Sequence, residues 1–231
     1  MKRDATERDQ ARFFDDLAKR IELDEHEPAD PAPLPGDDPV VHELVRSFLM
    51  WEAPRPGVPA ALAKLRESVV DFNELRVSLC EETAMLLGSR YPLARERCLR
   101  LRAALKEVFL RENGLTLVHL RDEPKRAARA YFDSLPGITG FVAARVALLS
   151  CEAHAFPLDS VLCDVLKAAG VVEKDCDTDT ASARLERAIR AGDALGCYRR
   201  LERFALEKPQ WGGGKKPKSS RTSSSKAAGK A

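Results

Sequence analysis

Two short segments carry residues whose types and spacing suit chemistry. The first is SLPGITGFVAARVALLS, residues 134–150. Pro136 ends the helix before it, and Gly137 opens a backbone conformation closed to other residues. An apolar helix follows at once, so the N–H groups of Gly137 to Phe141 project at a helix N-terminus. Such a site holds a phosphate without a cationic side chain. Arg145 lies one turn into that helix, where it is expected to reach a backbone phosphate. The second segment is AFPLDSVLCDVLKAAGVV, residues 155–172. Asp159 stands there just before a helix beginning at Ser160, a position suited to an N-cap.

Other candidates are weaker. Arg95, Arg97, Arg100, Arg102 and Lys106 line one helix and are open to two readings, a DNA-facing stripe or a solvated face diluted by Glu96 and Glu107. Cys163, Cys176 and Cys197 are separated by twelve and twenty residues, and Cys80, Cys98 and Cys151 by more than a coordinating run allows, so no iron–sulfur spacing exists. The four histidines are scattered without ligand spacing, which suggests no zinc site. No phosphate-cradling glycine loop or nucleophile elbow occurs.

The segment from Leu135 to Val172 resembles, without gaps, the helix-hairpin-helix and catalytic-aspartate segments of the endonuclease III (HhH-GPD) superfamily of DNA glycosylases. Weaker likeness extends over roughly residues 42–205. The resemblance implies that the hairpin backbone, Leu135, Pro136, Gly137, Ile138, Thr139, Gly140 and Phe141, binds DNA phosphate, with a monovalent cation at the hairpin. It also places Asp159 on the catalytic aspartate. Bifunctional members carry a Schiff-base lysine where this chain has Phe141. A phenyl ring has no amine, so imine chemistry at C1′ is closed and a monofunctional hydrolase is implied. Thr139 stands where the hairpin usually has glycine; a threonine forced to positive φ would cost about 1 kcal/mol, unless the turn shifts by a residue. Trp51 occupies the place of a glutamine that fills the gap left by a flipped base, so it is either a base wedge or a core tryptophan. Iron–sulfur members carry four C-terminal cysteines at fixed spacing, and this chain does not. The function implied is base-excision repair on double-stranded DNA by a monomer with no resident cofactor and no iron–sulfur cluster. The alternative is a non-catalytic helix-hairpin-helix DNA-binding protein.

The rest of the chain must position these residues. With 44% apolar, 32% charged and only 6% aromatic residues, it reads as a helix-rich globular protein. A charged N-terminus and the lack of a long apolar run predict an intracellular, cytoplasmic protein with no membrane span, nucleoid-associated if bacterial. Helical periodicity covers 5–23, then 42–53, 58–69, 73–88, 92–113, 123–134, 139–152, 160–170, 179–191 and 193–207, with no useful alternating pattern. The fold class expected is all-α: a two-lobed helix-hairpin-helix glycosylase fold with a flexible N-terminal arm and a basic C-terminal tail. The divisions fall at 1–40, an N-terminal helix and acidic Pro-rich linker; 41–208, the glycosylase-like domain; and 209–231, a disordered basic tail. The first helix is placed either back on the domain or as a separate arm. Charge follows the same divisions: residues 1–40 hold 6 basic against 12 acidic side chains, whereas residues 212–231 hold 6 basic and none acidic, which suits phosphate.

Overall fold

A computed structural model describes residues 2–20 and 38–207. The acidic linker and the basic tail lie outside the described residues. Among those described, eleven α-helices and two 3-10 turns occur, with no strand. None of these helices is long and apolar enough to cross a membrane.

The architecture is organised around one helix, α8 (Gly140–Cys151). Its sequence GFVAARVALLSC is apolar almost all round, and a helix of that kind is a buried one. Phe141 through Leu148 are all buried. Against it lie α2 (Pro39–Met50) and α7 (Lys125–Asp133). The start of α2 is fixed by Asp38, whose Oδ1 accepts the N–H groups of Val40 (2.8 Å) and Val41 (3.0 Å). Its Oδ2 accepts those of Leu117 (2.7 Å) and Val118 (2.8 Å), which ties the helix to a loop 79 residues away. One carboxylate thus satisfies four backbone donors.

The stretch expected as one helix over 73–88 is two, α4 (Phe72–Val77) and α5 (Cys80–Leu87), with α3 (Val58–Ser68) before them. Ser78 adopts an extended conformation between them, and its Oγ donates to Glu74 O at 2.8 Å, a side-chain bond that competes with helix continuation. Helix α6 (Ala94–Glu112) covers α4 and α5. Of the remaining helices, α9 (Ser160–Ala168) packs against both α10 (Thr178–Ala188) and α11 (Ala194–Glu207).

The N-terminal helix α1 (Lys2–Arg20) packs back on the domain, against α10 and α11, which is one of the two placements the sequence leaves open. Phe14 and Leu17 are buried in the common core. The Phe13 ring meets Phe204 of α11 at 5.9 Å and the Phe14 ring meets Phe156 at 5.5 Å, both edge-on. Burying two large apolar side chains is worth roughly 3–6 kcal/mol, enough to hold a helix that has its own apolar stripe.

His42 on α2 is buried beside Phe72, and its Nδ1 has no hydrogen-bond partner. Burial, helped by the Arg66 guanidinium, lowers its pKa from 6.5 to about 4. The unfolded chain takes up this proton from about pH 6.5 downward, but the folded chain only near 4. The stabilising difference is therefore complete above pH 6.5 and is lost progressively as pH falls towards 4, by up to about 3 kcal/mol. His42→Leu is expected to flatten the fall in urea midpoint between pH 7 and 5. An unchanged slope would show that other groups carry it.

Candidate functional site

The hairpin joins α7 to α8. Gly137 takes positive φ, at +76°, and Thr139 does not, at −110°. Thr139 is the N-cap of α8, with its Oγ1 accepting the Val142 N–H at 3.3 Å. Thr139 is extended, so the strain expected of a left-handed threonine does not arise, and the turn is made without a positive φ at Gly140. The amides of Gly140 and Phe141 have no acceptor among the described residues, as the first donors of a helix should. A Cβ added to Gly137 would lie 3.0 Å from both Cα and O of Arg100 on α6, so the hairpin is pressed against that helix. Gly137→Ala is expected to destabilise the protein by about 2 kcal/mol or more, through left-handed strain and backbone overlap together. A urea midpoint equal to that of the parent chain would refute this.

Leu135 is buried under the hairpin and Ile138 is half-buried, so these two anchor the turn. The Phe141 side chain is buried as well, its ring facing the Arg55 guanidinium at 5.4 Å. Only its backbone N–H is placed to meet a ligand.

Asp159 caps α9, its Oδ1 accepting the Leu162 N–H at 3.0 Å. It is also held in a bidentate pair: Arg55 Nη2 donates to Oδ1 and Nη1 to Oδ2, each at 2.9 Å. The Glu52 N–H donates to Oδ2 at 3.0 Å. Both oxygens therefore accept two bonds, and the side chain is fully shielded from solvent. No lone pair is left for water or sugar in this arrangement. Arg55 follows the end of α2 in a 3-10 turn, Arg55–Gly57, and its Nη1 also reaches the carbonyls of Met50 (2.8 Å) and Ala53 (3.0 Å). The same junction holds Glu52 at φ +54°, with its carboxylate accepting the Ser160 N–H at 3.0 Å and bonding the Ser160 hydroxyl.

Sequence reasoning missed both Arg55 and Glu52. They lie more than 100 residues from the helix they hold, and PRPG reads only as a break.

Arg145 corrects an expectation. It does not face a phosphate but is entirely buried, bonded to Glu43, to Ser47 Oγ (2.9 Å) and to Tyr198 OH (3.0 Å), with Glu202 at 3.6 Å. Burial opposes the charge, yet Glu43, Tyr198 and Glu202 outweigh it and hold the guanidinium pKa above its ordinary value. Glu202 is correspondingly held below the usual carboxylate range: burial would raise it, and Arg145, Arg55 and Arg46 prevail.

Arg97 is likewise buried, donating to the carbonyls of Phe48 and Pro92, and so leaves the α6 basic stripe. The stripe that reaches solvent is Arg95, Arg102 and Lys106, with Arg100 half-buried against the hairpin, its Nη1 3.4 Å from Gly137 O. Trp51 is half-buried at the C-cap of α2, its ring 5.2 Å from the Arg100 guanidinium. This places Trp51 beside the hairpin support rather than inside the core.

All six cysteines are free, and among the described residues no group of three or more His, Cys, Asp or Glu side chains is placed to hold a metal.

No family model and no curated protein matches the chain. Solved structures do. A trapped endonuclease III–DNA covalent intermediate aligns with TM-score 0.63 at 19% identity, over 84% of each chain. A non-covalent endonuclease III–DNA complex aligns at 0.65 and 16%, covering 86% of this chain and 85% of that one. A thermostable thymine-DNA glycosylase aligns at 0.59 and 16%, covering 87% and 88%. The chain has the all-α helix-hairpin-helix fold of the endonuclease III-type glycosylases.

Proposed function

We propose that the chain is a monofunctional DNA glycosylase of base-excision repair, binding double-stranded DNA as a monomer and hydrolysing the N-glycosidic bond of a flipped damaged or mismatched base. The observation that carries this reading is the placing of Asp159. Its carboxylate caps α9 and is one guanidinium away from Phe141, the second residue of the hairpin helix. A phosphate gripped by the Gly140 and Phe141 amides would thus bring a sugar close to a carboxylate, the group that stabilises an oxocarbenium-like centre or activates water. Trp51, beside Arg100, is the proposed wedge that fills the stack when the base leaves. A monovalent cation at the hairpin would share Gly137 O with Arg100.

One observation favours a second reading. Every acceptor position of Asp159 is filled, which is what a purely structural carboxylate would show. On that reading the protein binds duplex DNA and does no chemistry.

The experiment incubates the protein with duplexes carrying uracil, an oxidised pyrimidine, an alkylated purine or a mismatch, and develops abasic sites with alkali. Base release that disappears in Asp159→Asn is the expected result. No release across the panel, with salt-sensitive duplex binding intact, would select the binding protein. Loss of duplex binding even at low salt would remove both readings.

A further inference from the structure

Cleaving an N-glycosidic bond builds positive charge on the sugar, and a carboxylate helps in proportion to the negative charge it can offer. Asp159 offers little, because a planar cation already lies against it in two short bonds. Arg55 occupies the position at which a cationic sugar would be received.

Arg55 has somewhere else to go. Its Nε is buried and makes no hydrogen bond, which is uncommon for a buried donor. The nearest carboxylate to that nitrogen other than Asp159 is Glu202, whose Oε1 lies 4.0 Å away, just beyond bonding range. Glu202 is held charged by its arginine neighbours. The guanidinium therefore stands between two carboxylates, bonded to Asp159 through both Nη atoms and 4.0 Å from Glu202 Oε1, which also accepts the Tyr198 hydroxyl at 2.6 Å; the Phe141 ring centroid lies 5.4 Å from it.

We propose that Arg55 is a positioning residue that keeps Asp159 closed, and that the site opens when its guanidinium shifts from Asp159 to Glu202, so that the sugar cation takes the place of the arginine cation. The inference rests on the glycosylase reading above. In the opened state the C1′–N bond breaks and its electron pair leaves with the base nitrogen. Water adds through oxygen to C1′, and the water proton passes by way of the Asp159 carboxylate to the departing base. Arg55 keeps its protons throughout; it exchanges partners and transfers nothing. Each cation then faces a carboxylate, the sugar against Asp159 and Arg55 against Glu202, so neither is buried unpaired.

The test needs no knowledge of the target base. Two duplexes are compared, one with a pyrrolidine in place of the sugar, whose protonated ring nitrogen mimics the cation, and one with the neutral tetrahydrofuran of the same shape. Binding of the full chain is followed by fluorescence anisotropy at fixed salt. In the parent protein the cationic duplex should bind no more than about threefold better, and in Arg55→Met at least twentyfold better. The preference should vanish again in Arg55→Met with Asp159→Asn. Arg55→Lys keeps a buried charge but cannot bond both oxygens. Its preference should lie between the two, and it decides the matter alone if the methionine variant does not fold. Equal preference in the parent and in either folded Arg55 variant would overturn the proposal. So would a strong Asp159-dependent preference already present in the parent. Failure to bind even the neutral duplex is a different result, and it would remove the glycosylase reading itself.

Discussion

Asp159→Ala is expected to lower folding stability by about 4 kcal/mol, whether or not the protein has any activity. Three losses combine. The helix α9 gives up its N-cap, worth about 1 kcal/mol. The Glu52 N–H loses its acceptor. Above all, Arg55 is left as a buried cation without its partner, and breaking a buried pair from one side costs about 3–5 kcal/mol. Replacing both partners is a different matter, since an apolar pair of similar volume can be close to neutral. Arg55→Met with Asp159→Ala should therefore recover at least 2 kcal/mol relative to the sum of the single changes. Urea unfolding at constant m-value measures this cycle. Additive single changes, or a loss below 1 kcal/mol for Asp159→Ala, would show that the pair is not the tie described. Because of this cost, base release by Asp159 variants is interpretable only where they are folded, and Asp159→Asn, which keeps one oxygen for the Leu162 N–H, is the better probe.

The parts of this site that could be read from the chain are the local ones. Pro136–Gly137 followed by an apolar run specifies a turn into a buried helix within six residues. Asp159 before Ser160 specifies a cap within four. Both depend on backbone chemistry between neighbours, and both are found. Gly137 bears the positive φ that its place in the turn implies, while Thr139 stays extended and gains a capping bond. The Arg55–Asp159 pair is another kind of fact. It joins residues 104 apart, and an arginine between two prolines carries no local sign of burial. The two carboxylates at the N-terminus of α9 show the same limit: Asp159 is announced by its own helix, whereas Glu52 arrives from the end of α2. Arg145 departs from the expected phosphate contact for a reason visible in the sequence. A helix apolar on every face has no solvent side for an arginine to use, so its charge has to find acids in the interior.

Arg145→Met is accordingly expected to destabilise the fold by about 4 kcal/mol while leaving the electrostatics of DNA binding unchanged. The guanidinium is fully buried and joins α8 to Glu43 and Ser47 on α2, and to Tyr198 and Glu202 on α11. Removing it leaves two carboxylates facing one another across a space that excludes water. Burial then acts on them with only Arg46 and Arg55 left to oppose it. Glu43→Gln and Glu202→Gln in the Arg145→Met background should restore part of the loss, because neutral amides no longer repel. An arginine that touched a phosphate would behave in the opposite way. Its removal would hardly change stability, and it would reduce the slope of log Kd against log salt by about one unit. Lys106→Ala on the exposed stripe of α6 supplies that contrast, with a smaller salt slope and an unchanged urea midpoint. Measured side by side, a shallower salt slope in Arg145→Met with little loss of stability would place this arginine back at the DNA. The burial and bonding of its guanidinium require the reverse, because a cation tied to three elements of the core cannot also reach a phosphate outside it.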